Sequence, residues 1–325
     1  TTGSNNTAVG DSALETATAS DNTAVGANAL QANTSGTQNV AVGANALDSN
    51  TTANNNTAVG YQALEQNSTG SANAMDGNQT GNSNTAFGYI ALYENTTAGS
   101  NTAIGRSALY SNTTGNNNVA VGAYALDANT TASNNVAVGY EALTTNTTGA
   151  QNTALGYAAL EKNTTAGDNT AVGFQALEEN TTGTRNTAVG ALALDNNTTQ
   201  HDNTAFGFQA LTDINGGNSN TAVGSNALQS NSASDNTAVG MHALKSNTSG
   251  YYNTGVGRRV LEDNTTGIYN TAVGGLALDD NTTGSHNTAI GYNSLSVNTT
   301  GTRNTGVGTF TLDSNKSNDN TAVGF

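Results

Sequence analysis

One unit of 17 residues repeats along the whole chain and constrains its fold more than any other feature of the sequence. Between Asn56 and Gly70 the unit reads NTAVGYQALEQNSTG, and close copies of it fill the 325 residues. We number the first Asn of each copy as position zero. Successive copies are 17, and in a few cases 16, residues apart. They begin at Asn6, Asn22, Asn39, Asn56, Asn84, Asn101, Asn118, Asn135, Asn152, Asn169, Asn186, Asn203, Asn220, Asn236, Asn253, Asn270, Asn287, Asn304 and Asn320.

One gap breaks this spacing. Asn56 and Asn84 are 28 residues apart, which is 17 plus 11 if residues 73–83 (NAMDGNQTGNS) form a copy that lacks the YQALEQ segment. We therefore predict about twenty coils in a single continuous repeat array over residues 1–325, with a truncated coil at 73–83. We expect the truncated coil to be the softest point of the array, because the Leu column skips one layer there.

The period predicts an all-β fold, a parallel β-solenoid or β-roll, in which each unit makes one coil. It is too short for paired-helix repeats and lacks a heptad pattern. The alternation in N-T-A-V-G is typical of a strand with one buried face. We expect Thr or Val at position one and the larger apolar residue at position three to point inward. Leu at position eight, as in Leu64, predicts a core ladder, each Leu contributing about 1.5–3 kcal/mol on burial.

Gly and Asn columns predict the corners of the coil. The invariant Gly at position four, as in Gly60, fits a turn with positive φ or a close approach of neighbouring backbone. Asn recurs at positions zero and eleven, and stacked Asn side chains can hydrogen-bond to each other along the coil axis. The sequence therefore predicts two Asn ladders at corners.

The strand motif N-T/V-A-V/I-G resembles the Asn-Ser-Val-Ala-Ile-Gly repeat in the heads of trimeric autotransporter adhesins of the YadA-like type, over essentially the whole chain. The resemblance implies a left-handed parallel β-roll that trimerises side by side, is displayed at the bacterial surface and binds host matrix or other cells. Repeats of that family are shorter, and the additional ALxxNTTG portion gives a larger coil here. The array has no atypical cap at either end, which predicts a segment of a longer fibre or end coils that a partner subunit covers.

Composition and charge exclude several classes of function. The net charge of −15, from 23 acidic and 8 basic residues, repels nucleic acid. Without Cys the chain forms no disulfide and no thiolate site, and no stretch approaches the roughly 20 apolar residues of a membrane span. The chain begins at Thr1 without a basic, apolar leader, so we expect any signal peptide to lie outside this sequence.

We expect no enzymatic activity, cofactor or metal site. Catalysis needs different residues that converge in one place, whereas a repeat array offers the same residues everywhere. His201, His242 and His286 lie at unlike coil positions, which favours loop variation. The Asp-rich calcium repeats of other β-rolls are missing.

The Asn at position eleven begins an Asn-x-Ser/Thr sequon in most coils, and this motif is the acceptor for N-glycosylation. The alternative is that Asn and Thr are present for hydrogen bonds of the turn and the ladder. The candidate glycosylation sites are Asn33, Asn50, Asn67, Asn95, Asn112, Asn129, Asn146, Asn163, Asn180, Asn197, Asn247, Asn264, Asn281, Asn298 and Asn315.

Position five varies and carries many aromatic residues, which form a candidate contact stripe. Such a stripe could stack on sugars or join subunits, since aromatic side chains dominate interfaces. The alternative is that these side chains fill a corner of the core. The stripe consists of Tyr61, Tyr89, Tyr140, Tyr157, Phe174, Phe208 and Tyr292.

These observations favour a structural segment of an extracellular fibre or a surface adhesin, non-enzymatic and stiff, with the sequons as a candidate glycan coat. We expect self-association as a homotrimer or filament and a carbohydrate or cell-surface ligand. A phage-type fibre shaft is one alternative. An ice-binding β-solenoid is another, which the inward orientation expected for the strand Thr disfavours.

Overall fold

A computed structural model of the chain describes residues 3–71, 73, 80–214 and 216–325. These residues contain strands and turns and no helix, which confirms the predicted all-β parallel solenoid with a 17-residue period. Each described strand spans positions one to three of its coil. The strands are β1 (Thr7–Val9), β2 (Thr23–Val25), β3 (Val40–Val42), β4 (Thr57–Val59), β5 (Thr85–Phe87), β6 (Thr102–Ile104), β7 (Val119–Val121), β8 (Val136–Val138), β9 (Thr153–Leu155), β10 (Thr170–Val172), β11 (Thr187–Val189), β12 (Thr204–Phe206), β13 (Thr221–Val223), β14 (Thr237–Val239), β15 (Thr254–Val256), β16 (Thr271–Val273), β17 (Thr288–Ile290), β18 (Thr305–Val307) and β19 (Thr321–Val323).

The chain divides into two compact units, Thr1–Leu155 and Gly156–Phe325. In the first unit, β1–β4 form a four-stranded parallel sheet, and β5–β9 pair with one another in chain order. In the second unit, β10–β19 pair in chain order and in parallel. Equivalent residues of successive coils face each other in both units, as Thr170 faces Thr187. A single continuous array over residues 1–325 stays a prediction.

The inward residue of each strand is the small one at position two, so the expectation that positions one and three face the core is wrong. In β3, Ala41 is fully buried, whereas Val40 and Val42 are 36% and 37% exposed. An alternation of period two shows that the two faces differ but does not show which is buried. The width of the coil decides the outcome, because its interior has room for little more than a methyl group at this position.

Two coils demonstrate how narrow the interior is. In β15 and β18 position two is Gly, and in the same coils position seven carries Val260 or Thr311 in place of Ala. A Cβ on Gly255 would lie 3.0 Å from Cγ1 of Val260, which is tighter than ordinary packing. Positions two and seven therefore lie close to each other in the core, and the larger Val260 is accommodated beside Gly255.

The predicted Leu column at position eight is confirmed as the largest part of the core. Leu47 is fully buried, and its φ of 53° lies in the left-handed region that bulky residues seldom adopt. The backbone turns tightly here, with Asn50 N donating to Leu47 O at 3.2 Å. Packing against the Leu of neighbouring coils stabilises this strained conformation.

Backbone hydrogen bonds between coils continue beyond the short strands. Asn45 N donates to Ala27 O at 2.8 Å, and Leu47 N donates to Ala63 O at 2.9 Å. Gly43, at position four, has a φ of 140°, and a Cβ there would lie 2.0 Å from the carbonyl oxygen of the next position-four Gly. Both predicted reasons for this Gly are therefore confirmed, since it needs a positive φ and a close backbone approach.

Candidate functional site

The outward side chains at positions one and three of the strands form a regular surface, which we call the strand face. In the second unit, the position-one residues of all ten strands are Thr, and the position-three residues are all apolar. No ionisable side chain therefore lies at these two positions in β10–β19. The Thr column comprises Thr170, Thr187, Thr204, Thr221, Thr237, Thr254, Thr271, Thr288, Thr305 and Thr321.

The hydroxyl groups of this Thr column make no hydrogen bond within the described part of the second unit. The Thr column at position twelve differs, because its hydroxyls donate to the backbone of the next coil. Thr248 Oγ1 donates to Thr265 O and Thr265 Oγ1 donates to Thr282 O, both at 2.9 Å. The strand face thus presents a row of unpaired hydroxyls to its surroundings, repeated about every 4.8 Å, whereas the hydroxyls at position twelve are bonded to the protein's own backbone.

Two buried Asn ladders confirm the corners predicted at positions zero and eleven. At position zero, Asn39 Nδ2 donates to Ala53 O, and Asn39 Oδ1 accepts from Asn56 N, both at 2.9 Å. At position eleven, Asn50 Nδ2 donates to Asn33 Oδ1 at 3.1 Å. These side chains link each coil to the next, and a buried amide left without its partner costs about 1–3 kcal/mol.

The candidate glycosylation sites lie in the second of these ladders. Fourteen of the fifteen are fully buried, and Asn315 is partly exposed. Nδ2, the atom to which a glycan would be joined, donates a hydrogen bond inside the coil, as Asn264 Nδ2 does to Asn247 Oδ1 at 2.7 Å. The burial favours the ladder interpretation of these residues, and glycosylation itself stays a prediction.

The candidate contact stripe at position five is exposed, so the alternative that it fills a corner of the core is wrong. Its seven side chains are 44–72% exposed. Tyr157 and Phe174 stack on each other with ring centroids 5.3 Å apart and an interplanar angle of 14°. Stacked rings cover each other's faces, so this pair offers mainly its edges to a ligand. A binding role for the stripe stays a prediction.

A second aromatic cluster lies at positions fifteen and sixteen, and the sequence analysis missed it. Tyr269 stacks on Tyr252 at 5.1 Å and on His286 at 5.1 Å, and Tyr251 meets Tyr269 edge to face at 5.8 Å. The signal that could have revealed it is the common register of Tyr252, Tyr269 and His286 in successive coils. The cluster is a short aromatic ladder that follows the coil axis.

The three His residues lie in unlike surroundings. His201 Nδ1 accepts from Thr184 N at 2.9 Å, His242 Nδ1 lies 3.3 Å from Glu262 Oε1, and His286 stacks on Tyr269. Among the described residues, no group of three or more His, Asp or Glu side chains could hold a metal ion. The absence of catalysis stays a prediction.

Acidic side chains at positions nine and ten stack above one another in neighbouring coils. Burial, together with the nearby Asp213 and Glu178, raises the pKa of Asp195 to about 6. Burial and the neighbouring Asp280 likewise raise the pKa of Asp279 to about 6. A repeat array places like charges over like charges, so these carboxyl groups hold their protons more tightly than usual.

The truncated copy at 73–83 keeps its place in the position-zero ladder. Asn73 N donates to Asn56 Oδ1 at 2.9 Å, and Asn84 N donates to Asn73 Oδ1 at 3.0 Å. This confirms Asn73 as the position-zero residue of a shortened coil, although residues 74–79 lie outside the described residues. A cleft of about 750 Å³ lies beside this coil, between β4 and β5. That the coil is the softest point of the array stays a prediction.

Comparisons with known proteins add no relative to these observations. A comparison with models of protein families gives no match, and a comparison with curated proteins gives none either. No helix in the described part of the chain is long and apolar enough to cross a membrane. The two ladders, the strand face and the cleft are therefore the features of the chain that bear on its function.

Proposed function

We propose that this chain is a non-enzymatic structural segment of an extracellular or cell-surface fibre or adhesin. The observation that carries the proposal is the complete set of bonds between coils. Each regular coil is joined to its neighbours by strand pairing, by further backbone bonds such as Leu47 N to Ala63 O, and by two Asn ladders. A molecule built in this way resists local unfolding, since opening one coil exposes the Leu side chains of the coils beside it.

The strand face is the surface that we propose for self-association, as a homotrimer or a filament. It carries exposed Val256, Val273 and Ile290, and such contiguous apolar surface is typical of contacts between proteins. A net charge of −15 repels other copies of the chain, and that repulsion is weakest at a face without ionisable groups. The same observations support a phage-type fibre shaft. For an adhesin, the exposed stripe at position five supplies the contact to a carbohydrate or cell-surface ligand.

Sedimentation velocity and negative-stain electron microscopy of the purified chain test this proposal. We expect trimers or filaments for the unmodified chain. The double variant Val223→Lys, Val239→Lys should remain monomeric with a nearly unchanged Tm, because both side chains point outward. The matched control places the same two Lys at position thirteen, as Thr266→Lys and Thr283→Lys, and should still associate. Monomers at all concentrations, or equal association of both double variants, would contradict the proposal.

Ice binding is a second candidate, and the outward Thr column favours it. The expectation that the strand Thr face inward counted against this function, and the structure overturns that expectation. Ten Thr hydroxyls in register, next to a column of apolar side chains, form a regular uncharged surface that can order water. Ice-crystal growth in the presence of micromolar protein tests the idea. Reshaped crystals that become normal with Thr237→Lys and Thr254→Lys support it, and unchanged growth with the unmodified chain excludes it.

A further inference from the structure

The cleft between β4 and β5 exposes residues that are more fully covered in regular coils. Val59 and Phe87, at position three of these strands, are 70% and 77% exposed, about twice the value of Val42. Ala63 and Ala86, at the core positions seven and two, are partly exposed, whereas their equivalents in regular coils are fully buried. The core of the solenoid is therefore open to solvent at this place.

The wall formed by the β4 coil has backbone groups without a partner among the described residues. They are the carbonyls of Val59 and Tyr61 and the amide of Leu64. In the preceding coil, the same positions are all paired. There Val42 O accepts from Gly60 N at 2.8 Å, and Leu47 N donates to the carbonyl of the next coil at 2.9 Å. The β4 coil thus ends in an open edge from position three to position eight.

The opposite wall has the complementary set of open groups. The amides of Gly88 and Ile90 have no partner among the described residues, whereas their equivalents donate to the preceding coil. Gly105 N donates to Phe87 O at 2.8 Å, and Ser107 N donates to Tyr89 O at 2.9 Å. Open strand edges of this kind readily accept an added strand, because their row of unpaired N–H and C=O groups can pair with another chain.

The space between the walls has the dimensions and chemistry of one missing arc of coil. The cleft holds about 750 Å³, and none of the described residues that line it carries a charge. A Cβ on Gly60 would meet only Ala63 Cβ, at 3.8 Å, whereas the same atom on Gly43 would lie 2.0 Å from the backbone of the next coil. The backbone of Gly60 covers Gly43, but among the described residues no backbone covers Gly60 in the same way.

We propose that this cleft binds an extended peptide with the pattern V-G-x-x-A, which pairs with both walls as an added strand. The open carbonyls and amides bind the peptide backbone, as in other cases of strand addition. Gly fits between Gly60 and Gly88, where a side chain would meet backbone. Ala of the peptide covers the partly exposed Ala63 and Ala86, whereas Leu64 and Leu92 are already fully buried. The segment donated by a partner therefore has the sequence character of the repeat itself.

Hydrogen exchange of the full chain, with and without the synthetic peptide TAVGYQALEQN (the sequence of residues 57–67), tests the proposal. In the protein alone, the amides of Leu64, Gly88 and Ile90 should exchange faster than Leu47 and Gly105. Peptide at ten times its Kd should slow their exchange roughly tenfold. The same peptide with Asp in place of its second Ala (TAVGYQDLEQN) should have no effect, because a carboxylate would meet the apolar core at Ala63 and Ala86.

A variant with Met75→Ala and YQALEQ inserted after Gly77 is the matched control, since position two of a regular coil holds only Ala or Gly. It restores a complete coil, so it should protect these amides without peptide, raise the Tm and bind no peptide. Three results would overturn the proposal: slow exchange of the three amides in the unmodified chain alone, no protection by the peptide at millimolar concentration, or equal peptide binding by the insertion variant. The first of these would mean that the chain itself fills the cleft.

Discussion

The amide of Asn84 donates to Oδ1 of Asn73 at 3.0 Å across eleven residues of chain, whereas the equivalent bond elsewhere spans 16 or 17. The position-zero corner is thus preserved where the rest of the coil is shortened. The shortened coil lacks the YQALEQ segment, and the Asn ladder at position zero is nevertheless continuous through it. The bond between these two residues therefore holds together the two parts of the first unit that flank the cleft.

Replacing Asn73 should destabilise the first unit through its unpaired neighbours. Asn73→Ala leaves Asn84 N without its acceptor and removes the Nδ2 group that donates to Gly81 O. We therefore expect a loss of about 1–3 kcal/mol in the free energy of unfolding. Urea denaturation measures it. The exposed Gln66→Ala serves as control and should change stability by less than about 0.5 kcal/mol. Equal effects of both substitutions would show that the ladder is not continuous at this point.

The orientation of the strands predicts opposite results for two adjacent residues. Ala188→Val adds two methyl groups to a full core and should cost about 1–3 kcal/mol. Val189→Ala removes methyl groups from the outer surface and should change stability by less than about 0.5 kcal/mol. Thermal and urea unfolding of the two variants compare them directly. The reverse ranking would restore the orientation that the sequence first suggested.

Gly255 and Val260 should show energetic coupling across the core. Gly255→Ala places a Cβ 3.0 Å from Val260 Cγ1, and we expect it to destabilise the protein by about 1–3 kcal/mol. Val260→Ala removes that contact, so the double variant should be more stable than the sum of the single effects, by about 0.5–3 kcal/mol. A double-mutant cycle measures this energy. Strict additivity would contradict the packing of position two against position seven.

Stability should fall as the pH rises from about 4 to 6. Asp195 and Asp279 have pKa values raised from 3.8 to about 6, so in this range the folded chain holds protons that the unfolded chain releases. Folding is then coupled to proton binding, and its free energy becomes less favourable with increasing pH. Asp195→Asn should remove part of this dependence and stabilise the protein at pH 7 by about 1 kcal/mol. Urea denaturation at pH 5 and pH 7 checks both statements, and equal pH dependence of the variant would contradict the second.

Folded protein should resist glycosylation at its buried sequons. Incubation with an oligosaccharyltransferase and a lipid-linked donor should leave Asn264 and its equivalents unmodified, because Nδ2 is buried and hydrogen-bonded. A peptide of residues 260–270 presents the same sequon without the ladder and should accept the glycan. Intact mass spectrometry compares the two. Modification of the folded chain at the ladder would mean that the coils open readily.

Most of the coil could be predicted because each of its parts has a strong local signature. The Leu at position eight, such as Leu64, recurs with a strict period. Gly60 and its equivalents have a positive φ that favours Gly, and Asn at two fixed positions is typical of a hydrogen-bonded ladder. Which side of the strand faces the core could not be predicted in the same way. Ala and Val are both apolar, and an alternation of period two does not show which of its two faces is buried. The paired change of Gly255 and Val260 was visible in the sequence and indicates that these positions lie close to each other.

The sites were harder to predict than the coil. A sequon and a ladder use the same Asn and Thr, so Asn264 could be assigned to either until its burial was known. The deletion at 73–83 was visible in the spacing, but the open groups of Val59 and Gly88 belong to the coils beside it. Whether such backbone groups are paired depends on the neighbouring coil, so the sequence pattern of a single coil does not show it.

The in-register pairing of equivalent residues makes every junction between regular coils nearly identical. Gain or loss of whole units by unequal recombination therefore leaves all remaining junctions intact, and the number of units can change without a compensating substitution. Loss of part of a unit has a different result, because the coils on either side are then left with unmatched edges. Variation in repeat number among descendants of such a gene should accordingly proceed in steps of one complete coil.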